Sequence, residues 1–308
     1  RSLKSVAATS PEVFTNIAVI CEMLAQPFEA SEAWLSVAKL RADSPDDAIE
    51  ATGRAIALET EADPDRSPLV VFAQARAPLA LEGADALDLL EDKLRHDPHC
   101  EPAPFNRSEW VQRGAAPPHS LWRIYEGPTD GEAPVRLLAS LLLFGRQTDK
   151  EPEAILQGFA PDVAETIPIA ERLLGATLTP DEPQEGLPVA APTSWLLGAQ
   201  FRSRMPEMPK APPAAGEPSV FDAYLETQRQ AVRQRFIAAW PQTALPELLG
   251  KTPREALSQA EGRMRVEAIL SEGEATARRP DMNEAWAQIR GDLGLSPPTP
   301  IESPRPLE

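Results

Sequence analysis

Histidine and cysteine are nearly absent, with three of the first and two of the second in 308 residues. Two cysteines, Cys21 and Cys100, cannot build a disulfide framework in a chain this long. Three imidazoles leave little for metal or acid–base chemistry. No apolar run approaches the length of about 18 residues that a membrane span needs. Residues Arg1–Ser10 have no apolar stretch of the kind a signal peptide carries. The sequence also lacks a strand-turn-helix serine elbow, a phosphate-cradling glycine loop and a His-Glu-x-x-His pair. Basic residues are in deficit: Lys+Arg number 30 against 47 Asp+Glu, a formal charge of −17. That surplus repels phosphate backbones and anionic membranes. Nucleic acid is not expected as the main partner, nor is a membrane.

What is present suits a packed core. Hydrophobic residues make up 42% and charged residues 25%, which is ordinary for globular chains. The length allows one large domain or two to three small ones. Proline is abundant at 34 residues, roughly twice the usual share, while the 16 glycines are ordinary. The prolines therefore read as helix punctuation and stiff linkers. The chain begins without Met and closes on Leu307-Glu308. That ending is expected of a cloning junction, so the sequence is expected to be part of something longer.

Helix starts recur in the first third. Ser10-Pro11-Glu12 places an N-cap before a proline at the first helical position. Val13, Ile17, Ile20, Cys21 and Leu24 follow at three- and four-residue spacing, predicting one buried face. A second helix is expected to turn Ala30, Ala33, Trp34, Val37 and Leu40 inward. Ser44-Pro45-Asp46-Asp47 repeats the start signal with acid in the first turn, and Ala48, Thr52, Ala55 and Ile56 line the next helix. Ser67-Pro68 opens a further expected pair, the first member ended or kinked by Pro78. The second runs from Ala84 to Leu94 with Ala86, Leu87, Leu90 and Leu94 on one side.

Pro45 and Pro98 align these hairpins. Each has Ala twelve residues earlier (Ala33, Ala86) and an aliphatic residue eight earlier (Val37, Leu90). Over residues 14–47 and 67–100 this resembles the second helix of a tetratricopeptide (TPR) repeat, in which a small residue admits close helix approach. The first helices depart from that pattern, with Cys21 and Gln74 at the small-residue position, and the 53-residue offset is not a multiple of the repeat. The resemblance implies a stacked-hairpin array with a protein-binding groove.

From Glu101 to Ser120 the periodicity dissolves. Leu121–Tyr125 is short and aromatic and predicts a strand. Val135–Phe144 is a leucine-rich run before Gly145; leucine argues for helix, and the flanking Pro134 and Gly145 argue for strand, to which the reading inclines. Helices are expected at Glu151–Gln157 and Pro161–Leu174. Leu178–Pro218 is proline-rich, with Trp195, Leu196, Leu197 and Phe201 expected to dock on a neighbour. The last third is helical, with Phe221, Tyr224, Leu225, Gln228, Val232, Phe236 and Trp240 along one face.

There Gly250 suits a left-handed turn, and Thr252-Pro253-Arg254-Glu255 spells a capping box. Val266, Ile269 and Leu270 point inward on the next helix. Trp286 and Ile289 do so on the last. Residues Leu248, Leu249, Gly250, Thr252, Pro253, Glu255, Ala256, Leu257, Gly262, Val266 and Leu270 resemble a helical module at the C-terminus of Xre/MbcA/ParS-type antitoxins, found also in other bacterial proteins. The resemblance implies a small interaction module that contributes to toxin binding and dimerisation in those antitoxins. No DNA-reading helix-turn-helix precedes it here.

His96, His99 and Cys100, with His119 further on, carry the right donors for zinc. Their spacing fits no standard finger, Pro98 prevents a helical pairing, and a polar helix end accounts for His96 equally well. A nucleophile pair of Cys100 and His119 is conceivable, whereas Cys21 reads as a small core residue. Arg146–Lys150 reads as the turn after a buried strand. Arg229, Arg233, Arg254 and Arg263, with Arg235 and Arg265, concentrate positive charge in the C-terminal helices; they offer a partner surface or a salt-bridged solvent face.

The expected fold class is mainly α: a helical-hairpin (TPR-like) array over 1–100, a small α+β region over 101–204, a proline-rich linker over 205–218, a C-terminal helical module over 219–295 and a proline-rich tail over 296–308. The expected function is a non-enzymatic scaffold or adaptor that binds another protein in the cytoplasm, with no cofactor. One alternative is a regulatory subunit or antitoxin-like inhibitor acting through the C-terminal module. The other is a metal-dependent enzyme using the residues between His96 and His119.

Overall fold

A computed structural model describes residues 10–62, 69–81, 85–112, 114–146, 150–182, 186–204 and 219–297. The chain divides into two units. One takes Arg1–Pro68 together with Arg233–Glu308, and the other takes Leu69–Val232. The helices at both ends of the sequence therefore share one unit.

In the helical unit, α1 (Pro11–Met23), α2 (Pro27–Leu40) and α3 (Pro45–Ala62) each start on a proline, where the missing N–H costs nothing. Their shared core is built from Ala18, Ala33, Trp34, Val37, Ala38, Ala48, Ala51 and Ala55. Alanine at so many crossing points lets the backbones approach closely. Trp34 is the one large side chain among them; its indole N–H donates to Glu22 Oε1 at 2.5 Å, and Arg54 stacks 4.7 Å over its ring. The faces expected to be buried on α2 and α3 are buried, apart from Leu40.

The other end of the chain supplies α8 (Val220–Ala239, which crosses the division), α9 (Pro253–Ala256), α10 (Ala260–Thr276) and α11 (Pro280–Asp292). The capping box forms: Thr252 Oγ1 accepts from the Glu255 N–H at 3.2 Å, and Glu255 accepts from the Thr252 N–H at 2.8 Å. Gly250 takes a φ of 78°, which costs glycine little. Trp286 packs edge-on to both Phe236 and Trp240, with ring centroids 4.9 and 5.3 Å away. Arg265 of α10 grips Glu59 of α3 with two hydrogen bonds, at 2.8 and 2.9 Å.

The second unit overturns the expected mainly α class. Its centre is an antiparallel sheet with eight strands among the described residues, in the order β2-β3-β4-β5-β1-β6, with β7 beside β1 and β8 beside β4. The strands are β1 (Val70–Pro78), β2 (Cys100–Pro102), β3 (Ser120–Tyr125), β4 (Val135–Phe144), β5 (Glu153–Phe159), β6 (Thr179–Pro180), β7 (Val189–Ala190) and β8 (Phe201–Arg202). Helices α4 (Ala86–His96), α5 (Arg107–Gln112), α6 (Ala160–Leu174) and α7 (Pro192–Leu197) accompany them. With helices segregated from an antiparallel sheet, this unit is α+β.

Two corrections follow. The hairpin array does not continue over 67–100, because Val70–Pro78 is a strand running from Val70-Val71-Phe72 into alternation, with Ala75 and Ala77 buried and Gln74 and Arg76 half-buried. Glu151–Gln157 is likewise not a helix: Glu153–Phe159 pairs with β4 on one side and β1 on the other. The run Val135–Phe144 is a strand because it is buried on both faces. Leu141 and Leu143 face the main core with Trp122, Ile124, Leu156 and Leu173. Leu142 and Phe144 face the opposite side with Ile155 and Trp110. The helix start at Ser67-Pro68, the linker at 205–218 and all but the first two residues of the tail at 296–308 lie outside the described residues.

Arg136 of β4 is buried against Asp162 and Glu165 of α6, and Asp162 also accepts from the Trp195 indole N–H of α7 at 2.7 Å. This polar cluster fastens two helices to one strand.

Gly273 of α10 lies under Trp286, and a Cβ there would sit 2.5 Å from the indole. Gly273→Ala should destabilise the helical unit by about 1–3 kcal/mol through forced displacement, despite the gain in helix propensity. Gly291→Ala on α11, where nothing lies within 4 Å, should instead be stabilising by about 0.5–1 kcal/mol. Urea titration of both variants measures the contrast.

Glu247 lies in the short 3-10 turn Pro246–Leu248, where one carboxylate oxygen is buried with no hydrogen-bond partner among the described residues. Burial, then the nearby Glu272 charge, raises its pKa above the ordinary 4.5. The folded state thus holds the proton more tightly than the unfolded state, so stability falls as pH rises through that window. Glu247→Gln should raise the melting temperature at pH 7 and leave it unchanged below pH about 4, read from melts across pH.

Candidate functional site

Helix α1 buries a single residue fully, Ala18, against its neighbours. Three of the five residues expected on its inner face are instead exposed, Ile17 at 39%, Ile20 at 54% and Leu24 at 62%, while Val13 and Cys21 are half-buried. Val19 and Met23, 81% exposed, stand beside them, and Phe28 at the start of α2 extends the patch. The helix is attached through Ala18 and Phe14 and presents its other large apolar side chains. Glu12, Glu22, Glu29 and Glu32 on the same two helices are exposed, Glu12 paired with Arg41 and Glu22 accepting from Trp34. Burying side chains of this size is worth about 1.5–3 kcal/mol each, so the face has a partner's worth of free energy to offer.

The same unit carries an open groove of about 1600 Å³ lined by α3, α10 and α11 residues such as Asp46, Arg54, Arg263, Glu267 and Arg290. Its three arginines are paired: Arg54 with Glu50, Arg263 with Glu267 and Arg290 with Glu274. Asp46, Asp47 and Glu272 line it as well, so acidic side chains outnumber basic ones there.

Of the expected partner-binding arginines, Arg229 and Arg233 lie one turn apart on α8. Arg229 pairs with Glu226 and lies in the sheet-containing unit, while Arg233 pairs with Glu284 in the helical one. Arg254 is exposed on α9, and Arg263 lines the groove. Of the residues resembling the antitoxin module, Leu248, Pro253, Ala256, Val266 and Leu270 are core, and Leu249 is exposed at a φ of 57°.

The expected metal set is not gathered into one place. His96 is in the last turn of α4, its Nδ1 2.7 Å from the Asp92 carbonyl oxygen. His99 sits against Asp97, whose Oδ1 accepts from the His99 N–H at 2.9 Å and stands 3.0 Å from its Nδ1. Burial pushes the Asp97 carboxyl up, yet the His99 hydrogen bonds and the Arg172 charge outweigh it and hold it below its ordinary value. Cys100 is in β2 with its side chain in the main core. Burial, with the Asp97 charge adding to it, raises its pKa to about 12. A thiol of that kind is a poor nucleophile at neutral pH. His119 stands apart from these three, at the start of β3, where Glu91 of α4 faces it.

Sequence reasoning found His119 but not Glu91, and it read the α1 stripe as core. Among the described residues no helix is long and apolar enough to cross a membrane. No family model, no curated protein and no solved structure matches the chain.

The two thiols should react very unequally. In the native chain a disulfide reagent is expected to titrate the half-buried Cys21 and to spare Cys100 until denaturant is added. Equal rates for both would contradict the buried placement of Cys100.

Proposed function

We propose that this chain is a non-enzymatic adaptor that binds another protein through the outward face of α1 and the start of α2. The observation that carries the reading is the patch of Ile17, Val19, Ile20, Met23, Leu24 and Phe28, which has no covering element among the described residues. Single exposed apolar side chains are ordinary, whereas a contiguous group rimmed by charge marks an interaction surface. Helix α1 and the start of α2 carry the exposed Glu12, Glu22, Glu29 and Glu32, and the whole chain carries −17. The occupant is therefore an amphipathic helix of another protein, with apolar anchors at three- and four-residue spacing and Lys or Arg along its flanks. Apolar burial supplies the affinity, and the charges supply the on-rate and the preference for basic partners.

Selection of displayed helical peptides against the full chain tests this. Enriched sequences should combine that apolar spacing with net positive charge. Their affinity should fall at least tenfold against an Ile20→Glu, Met23→Glu double variant, about 1.4 kcal/mol or more, while its melting temperature stays near that of the parent. Peptides that bind both proteins equally would sink the reading. A dimer in sedimentation velocity that the double variant dissolves would reassign the face to self-association.

A further inference from the structure

Helix α4 meets the start of β3 at a cluster of polar side chains. Among the described residues a single group brings three metal-capable side chains together: Asp88, Glu91 and His119, each offering one ligand atom within 4.8 Å of the others. Asp88 and Glu91 are three residues apart on α4 and so lie on one face of it. His119 comes from the strand side, its backbone N–H donating to the Leu143 carbonyl at 2.7 Å, which extends the β3–β4 ladder by one rung. The Arg107 guanidinium bonds the His119 carbonyl at 3.4 Å. The imidazole is therefore presented from a rigid sheet edge, not from a free loop.

We propose that Asp88, Glu91 and His119 form a binding site for a divalent first-row transition metal such as Zn²⁺ or Mn²⁺. Two features of one carboxylate oxygen point to a cation beyond the mere proximity of the groups. The first is Glu91 Oε1, which is shielded from solvent and has no hydrogen-bond partner among the described residues. A buried carboxylate oxygen left unpaired is costly, and a cation satisfies it. The second is the separation of 3.4 Å between His119 Nε2 and that same oxygen, without the alignment of a hydrogen bond. Ligands about 2.1 Å from one tetrahedral ion stand about 3.4 Å from each other, and both face the ion, not one another.

The donor set decides the class of metal. One imidazole and two carboxylates suit zinc, manganese or ferrous iron; soft copper(I) would want the thiolate that Cys100 does not supply, and magnesium or calcium would not choose an imidazole. The Glu91 side chain is 16% exposed and that of His119 42%. The ion would thus be held by a sheltered carboxylate and stay open to water or a further ligand on one side.

The test is calorimetric titration of ZnCl₂ and MnCl₂ into the full chain after chelator treatment, with melting curves at each metal ratio. One equivalent of at least one of the two metals should bind, and the melting temperature should rise with metal concentration. His119→Ala and Glu91→Gln should each weaken that binding by tenfold or more, and Asp88→Asn, an exposed substitution, guards against loss through misfolding. His96→Ala, which removes an exposed histidine outside the group, should leave the binding unchanged. Absence of binding for both metals, or binding that survives in His119→Ala and disappears in His96→Ala, would overturn the proposal.

Discussion

The grip of Arg265 on Glu59 joins residues 206 positions apart, and the organisation of the helical unit depends on it. Both guanidinium Nη atoms reach the carboxylate, Ser31 Oγ adds a third hydrogen bond to Glu59 at 3.2 Å, and Arg265 also donates to the Glu247 carbonyl at 3.2 Å. A buried ion pair earns little net stability, because desolvating two charges offsets their attraction. Its worth lies in register: a forked donor on a planar carboxylate accepts one geometry and rejects neighbouring ones. Helix α10 is thereby set against α3 at one rotation. The alanines that line α2 and α3 could not impose that choice, since small side chains slide past one another with little penalty.

This pairing makes the helical unit discontinuous in sequence. The chain builds three helices, leaves to fold residues 69–232 around an antiparallel sheet, and returns to close the unit it began. Closing a loop of that length costs entropy that grows only slowly with its size, so an independently cored insertion is tolerable. It also accounts for the state of α1. Once α3 has α10 as its neighbour, the core of the first helices is sealed by alanines and Trp34, and α1 is needed only on the side of Ala18 and Phe14. Ile17, Val19, Ile20 and Met23 of α1 are surplus to that core.

How much of this was legible in the sequence depended on the range of the interactions involved. Helix punctuation is local, so Ser10-Pro11, Ser44-Pro45 and the Thr252–Glu255 box could be read directly. The ten-residue run at 135–144 was recognisable as buried, although only its pairing with β3 and β5 decides its state. Val70–Pro78 was readable as a strand from its alternation around Ala75 and Ala77, but the proline alignment between Pro45 and Pro98 drew the reading towards a repeat. Glu153–Phe159 holds good helix formers in Glu, Ala and Leu, and partners on both sides override that propensity. For α1, periodicity reported an apolar stripe correctly and could not say whether anything covers it.

The histidine-containing segment shows the same limit for chemistry. Residues 96 to 100 offer imidazole, carboxylate and thiol in succession, yet each group is engaged by its immediate surroundings. His96 reaches back to its own helix, His99 closes on Asp97, and Cys100 alternates inward with the strand. Proximity in sequence put potential ligands next to each other and local structure separated them. His119 is drawn towards α4 because β3 pairs with β4 and the helix packs on that sheet, so its neighbours are Asp88 and Glu91, some thirty residues earlier in the chain. Side chains meet at a site through pairing and packing that no short spacing records. A histidine with no ligand partners nearby in sequence can therefore be the one that finds them in space.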